Sequence, residues 1–304
     1  MAEYEFLTYE SLDEGRIVRI MLNRPEARNA QHVPLLKELD DAFLRAEADD
    51  EVRVVILGGH GRTFSAGHDM AAGAAAQAAD PGISPWEAVF GAGNGSSRQG
   101  REAHYLGEWH YFFTNTLRWR NLRKITIAQV QGTVYAAGLM LMWACDLIVG
   151  ADNANFVDVV GARLGMCGLE YFGHPWEFGP RKAKELLLTG DALGVDEAYQ
   201  LGMVSKVFPA ADLEDKTLEF ARRIARLPTV TALLIKESVN QTQDNMGFYN
   251  ALQACFSLHH VNHAHWAELT ASGQPYPAEL GAWRESPGVR PSVKDQASAD
   301  AVIR

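Results

Sequence analysis

Apolar and polar positions follow two rhythms along this chain. Arg16–Leu22 (RIVRIML) alternates between them, which predicts a half-buried strand. Val52–Leu57 (VRVVIL) reads as a buried strand cut off by GGHGR. Between them NRPEARNA is a loop, and Val33–Ala48 sets Leu36, Leu39, Phe43 and Ala46 on one face at helical spacing. A second round begins at Lys124. Ile125–Val130 predicts a strand, Gly132 a turn, Ala136–Ala144 a short apolar helix and Leu147–Gly150 another strand. Helical spacing returns in 101–122, Pro180–Thr189, Val195–Leu201, Leu213–Leu227, Ala232–Gln243 and Phe248–Thr270. Two stretches have neither rhythm. Residues 71–100, rich in Ala, Gly and Ser, read as a long loop with short helical pieces. From Gly273 onward Pro, Gly, Ser and Asp predict an irregular tail. Strand, turn and helix recur without a fixed-length repeat, so the class is α/β.

Composition narrows the function. The 304 residues hold 28 Lys plus Arg and 38 Asp plus Glu, a net charge of −10. That argues against a general nucleic-acid binder, which needs a basic face. A small anionic ligand held by a few local cations stays compatible. The three cysteines, Cys145, Cys167 and Cys255, make neither a disulfide framework nor a four-ligand zinc pattern, which fits a reducing compartment. The start has no signal-peptide layout, and no apolar run reaches the roughly 18 residues of a membrane span. The expectation is a cytoplasmic protein with no membrane partner.

Four segments, in order, resemble the crotonase superfamily, the enoyl-coenzyme A (CoA) hydratase/isomerase family: Asn23–Ala30 (NRPEARNA), Gly61–Met70 (GRTFSAGHDM), Lys124–Asp146 (KITIAQVQGTVYAAGLMLMWACD) and Leu187–Pro209 (LLTGDALGVDEAYQLGMVSKVFP). The resemblance covers roughly residues 5–270. It implies a crotonase-type spiral of repeated β-β-α units with a helical C-terminal region. The divisions are a core at 1–210, a helical oligomerisation region at 211–272 and the tail at 273–304. The implied assembly is a homotrimer or a dimer of trimers, each acyl pocket built partly from a neighbour's C-terminal helices. The implied partner is an acyl-CoA substrate. No further cofactor is expected, because coenzyme A is part of the substrate.

The family's shared chemistry stabilises a thioester enolate, whose oxygen needs two preorganised N–H donors. The resemblance assigns these to the backbone N–H groups of His68, in AGHD, and Ala137, at a helix start. The bland alternative for FSAGHDM is a tight turn between strand and helix. The His68 imidazole reads mainly as a pocket wall and Asp69 as a turn and helix-start residue. Arg28, in the segment that lines the CoA site in relatives, is either a phosphate ligand or a solvated loop arginine. Ala66 matches a stretch whose backbone meets the adenine, and Lys236 a position that reaches a phosphate in some members.

The sequence also departs from the family. Met140 stands where the hydratases' first glutamate belongs, three residues past Ala137, and Phe156–Val160 (FVDVV) lacks the second. Methionine transfers no proton, so the two-carboxylate hydration mechanism does not carry over unchanged. Two nearby acids remain candidates. Glu170, among Leu169, Tyr171 and Phe172, is expected to be desolvated, with a raised pKa suited to proton transfer. Asp158 is the second candidate. The bland reading of Glu170 is a loop or helix-start glutamate.

Three other features carry less. Ser65, His68 and Asp69 are too close in sequence for a hydrolase relay. His259, His260, His263 and His265 crowd one helix. With no HExxH glutamate or further ligands in view, they suggest an interface or exposed helix rather than a metal site. The aromatics Tyr105, Trp109, Tyr111, Phe112, Phe113 and Trp119 are core, or, with Trp109 and Met140, the wall of an acyl pocket. The leading activity is hydration of a 2-enoyl thioester or shift of its double bond. Alternatives are a thioester hydrolase or dehalogenase using Glu170, and a non-catalytic acyl-CoA binder.

Overall fold

In the computed structural model, residues 4–69 and 100–271 are described. The predicted loop at 71–100 and the tail from Gly273 fall almost wholly outside the described residues. Strands β1 (Leu7–Leu12), β2 (Ile17–Leu22) and β3 (Val54–Gly59) lead to β4 (Ile125–Val130), β6 (Leu147–Ala151) and β9 (Lys206–Phe208) in a six-stranded sheet ordered β1-β2-β3-β4-β6-β9. All its pairings are parallel except β1 with β2. A smaller sheet holds β5 (Thr133–Tyr135), β7 (Asn155–Val157) and β8 (Leu193–Gly194). Each of β4 and β6 passes into a strand of the small sheet and then a helix: β5 into α4 (Gly138–Trp143), β7 into α5 (Val160–Leu164). These are the β-β-α units of a crotonase-type spiral.

The central strands β2, β3 and β4 are buried along their whole length and mostly apolar because both faces are covered. Val18, Ile20, Leu22, Val55, Leu57, Ala128 and Val130 face a core shared with α1 (Val33–Ala48) and α4. Their alternates Ile17, Val54, Ile56, Ile125, Ile127 and Val149 face a second core closed by Leu213, Ala221 and Ala225 of α9 (Leu213–Ala225). Arg19 is the charged exception, neutralised by Glu10 and Glu214.

Three further pieces shape the site. Helix α2 (Gly100–Glu108) runs into a π-helical turn, Trp109–Thr114, and on into α3 (Asn115–Arg120). After α5 come α6 (His174–Phe178), α7 (Pro180–Thr189) and α8 (Val195–Leu201). Last are α10 (Thr229–Asn245) and α11 (Phe248–Ala271). Within the expected oligomerisation region, Phe248, Leu252 and Phe256 of α11 are 3%, 0% and 2% exposed within their own chain, and Cys255 is half-buried. Phe256 packs on Phe113 and Tyr105, so α11 lies against the α2–π-turn segment of its own subunit.

Candidate active site

The two segments proposed to carry the N–H donors meet backbone to backbone. Asn29 builds the first: its amide nitrogen donates to the carbonyls of His60, Thr63 and Phe64, and its carbonyl accepts from the Arg24 N–H. Ser65 Oγ donates to Asn29 O and accepts from Gly67 N–H, so this hydroxyl is structural. Asp69 pairs with Arg24 at 3.0 Å, which removes any Ser65–His68–Asp69 relay.

Gly67 sits at φ +83, and a Cβ there would fall 2.8 Å from Tyr135 O and 3.1 Å from Ala137 N. A Cβ on Gly138 would fall 2.7 Å from Ser65 O. Only glycine allows this approach. Ala136, at φ 44, donates its N–H to Val157 O and turns the chain into α4. Among the described residues neither the His68 nor the Ala137 N–H donates to another backbone carbonyl outside the regular elements. Met140, one turn into α4, is 2% exposed in the core.

Glu170 lies in the loop between α5 and α6 and is 3% exposed. Its carboxylate approaches His68 Nε2 at 3.3 Å and His259 Nε2 at 3.7 Å. Phe112 stacks on the His68 ring at 3.7 Å between centroids. Burial pushes the Glu170 carboxyl up, but the His68 charge and hydrogen bond, with His259, outweigh it and hold the pKa below the usual value. This corrects the expectation of a raised pKa. The aromatic neighbours were in view in the sequence; the two imidazoles were not.

Asp158 is a different case. One oxygen accepts the Val160 N–H at 2.9 Å and the other meets His174 Nε2 at 2.8 Å. His174 is fully buried, with Trp143 and Phe178 packed on its ring. Both oxygens are committed to holding the start of α5 against α6, so Asp158 is removed as an acid/base candidate.

Two other assignments change. Lys236 is 7% exposed, its ammonium bonded to Lys124 O and Asp146 Oδ2, each at 3.0 Å. A lysine so committed ties α10 to the sheet and is not a CoA phosphate ligand. Trp109 is 45% exposed beside Tyr105. The π turn that begins there carries Phe112, not Trp109, onto His68. Arg28 stays exposed, closing a short 3₁₀ turn at Pro25–Ala27, and its carbonyl accepts the Ala66 N–H at 2.9 Å. The two residues proposed for CoA contact are therefore adjacent.

A cluster behind Glu170 escaped the sequence reading. Glu108, at the end of α2, is fully buried, with His104 Nε2 at 2.6 Å from one oxygen. His259 and His260 approach its other oxygen at 3.3 and 3.2 Å, and His263 lies 3.5 Å from the first. Burial pushes Glu108 up, but the imidazoles, His104 foremost, hold it well below its usual value. The expected exposed or interfacial histidine helix is thus corrected: His259 and His263 are 3% and 7% exposed within the chain. The available signal was a pair of four-residue spacings, His104/Glu108 and His259/His263, on two helices. The same helix clamps the Glu170 loop, since His259 Nδ1 donates to Gly168 O and Asn262 to Gly165 O.

Residues 13–89 and 83–268 match the enoyl-CoA hydratase/isomerase family. The chain belongs to that family. It is 58% identical to EchA13 of Mycobacterium tuberculosis, provisionally named an enoyl-CoA hydratase, over 97% of this chain and 93% of the relative. It is 29% identical to 4-chlorobenzoyl coenzyme A dehalogenase-2 of an Arthrobacter species, over 84% of this chain and 86% of that protein. A crystal structure from Mycobacterium thermoresistibile, also provisionally named an enoyl-CoA hydratase, superposes with a TM-score of 0.76. It is 40% identical and spans 87% of this chain and 99% of its own. Membership fixes the fold and the kind of enzyme.

Proposed function

We propose that this family member acts on acyl-CoA thioesters through an enolate held by the His68 and Ala137 N–H groups, with Glu170 as the carboxylate that moves the proton. The leading reaction is hydration of a 2-enoyl thioester or shift of its double bond. One observation carries this reading: the Glu170 carboxylate touches the side chain of His68, the residue whose main chain supplies half of the oxyanion site. A carboxylate held ionised there acts as a base. It removes an α- or γ-proton, or one from water, while charge develops on the thioester oxygen facing two fixed donors. Phe112 over His68 supplies an apolar wall for the acyl group. Arg28 is the proposed phosphate contact, with Ala66 beside the adenine. The enolate step needs no separate cofactor.

The test follows loss of enoyl-thioester absorbance and, separately, entry of solvent deuterium at the α- or γ-carbon. Glu170→Gln should bind acyl-CoA about as well as the parent and lose turnover by roughly 10²–10⁴. Full turnover in Glu170→Gln defeats the assignment. Exchange without hydration selects isomerisation. A second reading, attack by Glu170 on the acyl group in a hydrolase or dehalogenase, draws on the likeness to the Arthrobacter enzymes. It predicts release of free CoA or halide. Tight binding with none of these reactions would leave a non-catalytic binder.

The proposed assembly is a homotrimer or dimer of trimers, now through α10 rather than α11. Val230, Leu234, Ile235 and Val239 form an apolar stripe there, each more than half exposed. Light scattering should give three or six chains; monomer alone at micromolar concentration would refute this. Among the described residues no helix is long and apolar enough to cross a membrane, and the three cysteines are unpaired, which supports a cytoplasmic setting.

A further inference from the structure

We propose that His259 is the positioning residue of Glu170, a buried imidazolium shared with Glu108 that fixes both the place and the charge of the proposed base. This deepens the reading of Glu170 given above and rests on it. Three elements converge on the ring. Helix α11 supplies it, α2 brings Glu108 to 3.3 Å from its Nε2, and the loop between α5 and α6 brings Glu170 to 3.7 Å. Two buried acids thus face one imidazole nitrogen.

The partners decide where the protons are. His259 Nδ1 faces the Gly168 carbonyl at 2.9 Å, so it carries a proton and donates it. Nε2 lies 2.9 Å from His263 Nε2, and two imidazole nitrogens that close share one proton. That proton belongs to His259, whose Nε2 faces both carboxylates. His263 approaches Glu108 on the oxygen that His104 already holds at 2.6 Å. Burial pushes His259 down, but Cys167, Glu108 and Glu170 outweigh it and hold its pKa well above the usual value. Burial holds His263 below its usual value and pushes His260 down to about 4, so both are neutral neighbours of one charged ring.

Such a ring holds but does not relay. A relay takes up a proton at one ring nitrogen and releases it at the other, and here Nδ1 ends on a main-chain carbonyl. Gly168 stands two residues before Glu170, so one side chain fixes the loop backbone and places a positive charge beside the carboxylate that the loop carries. Asn262 and Trp266, further along α11, bond Gly165 O at 3.1 and 3.3 Å and extend the same grip. Glu108 has the opposing part. It pairs with the imidazolium, and as a like charge it pushes Glu170 up. His104 orients Glu108, since Arg101 donates to its Nδ1 at 3.1 Å and leaves Nε2–H to donate to Glu108 Oε1. The charge of Glu170 is therefore set by His68 from the AGHD turn, His259 from α11 and Glu108 from α2.

The experiment titrates Glu170 in the full chain by the ¹³C signal of its carboxyl, assigned by its loss in Glu170→Gln. In parallel it follows kcat/KM for 2-butenoyl-CoA over the same pH range. His259→Asn keeps an amide near the place of Nδ1 and removes the charge. It should move the Glu170 titration and the acid limb of kcat/KM upward together, by roughly 1–3 pH units. Adding Glu108→Gln to His259→Asn should bring both back towards the parent, because it removes the like charge left facing Glu170. A merely structural role predicts the reverse: the second substitution adds damage and the titration does not move. His265→Asn, exposed on α11, should move neither. An unmoved titration in folded His259→Asn, or no return in the double variant, overturns the proposal. Full turnover in Glu170→Gln removes the base, and this proposal with it. A dead Glu170→Gln beside an unmoved His259→Asn removes the positioning role alone. If the His259 variants fail to fold, the ¹⁵N signals of the His259 ring in the parent decide: both nitrogens should be protonated at neutral pH, and a neutral ring refutes the assignment.

Discussion

Asp158 with His174 and Glu170 with His68 are both buried carboxylate–imidazole pairs, twelve residues apart along the chain at their acids. They differ in what else each partner does. Asp158 spends its other oxygen on the Val160 N–H, and His174 is sealed by aromatic rings, so the pair bolts two short helices together. Glu170 meets the residue that turns the chain between Gly67 and Asp69, where backbone N–H groups converge. Burial and pairing therefore do not mark chemistry. What separates the two pairs is the neighbourhood of the partner's main chain.

The comparison breaks most sharply at His68. His68→Pro removes one N–H donor and should cost roughly 10²–10³ in turnover, whereas His68→Ala keeps the amide and should retain at least about a tenth. Equal collapse of both, with His68→Ala folded, would move the role to the imidazole and make the two pairs more alike. Asp158→Asn should leave turnover within about tenfold. It should destabilise the fold by about 1–3 kcal/mol, the range for leaving a buried polar partner unsatisfied, measured by denaturant unfolding. A dead but fully stable Asp158→Asn would invert the assignment.

Glu177 sharpens the contrast as a carboxylate with no imidazole. Burial drives its pKa from 4.5 to about 8, only partly opposed by Arg120. Its folded-state value lies above its unfolded one. Stability is therefore fully present below the unfolded pKa and declines as pH rises towards about 8. Glu177→Gln should accordingly raise the melting temperature more at about pH 9 than at about pH 5. An equal effect at both would mean that Glu177 is solvated.

Much of the fold was readable from local pattern. Helices Val33–Ala48, Pro180–Thr189 and Val195–Leu201 and strand Ile125–Val130 fall where the spacing put them. Short strands such as Thr133–Tyr135 and Asn155–Val157 were not readable, because three residues give no period. The close approach of the two backbone segments at Gly67 and Ala137 follows from glycines visible in the sequence. The site was not legible where it depends on contacts between distant elements. Glu170 meets a histidine 102 residues earlier, and Glu108 meets helix α11 far downstream. Nothing local announced that Lys236 would be consumed by Asp146, or that Trp109 would face outward at the start of a π turn.

That turn has a consequence for how the enzyme could diverge. In Trp109–Thr114 the Asn115 N–H reaches back to His110 O, a ring one residue wider than in an α-helix. Such a widening amounts to a single inserted residue. Its deletion would restore the ordinary winding and swing whatever follows by about 100° relative to what precedes. Phe112 would leave the His68 ring while Glu108, upstream, kept its place. The Phe112–His68 stack and the histidine cluster therefore sit on opposite sides of a one-codon hinge, and the first could drift by insertion or deletion while the contact between α2 and α11 is inherited intact.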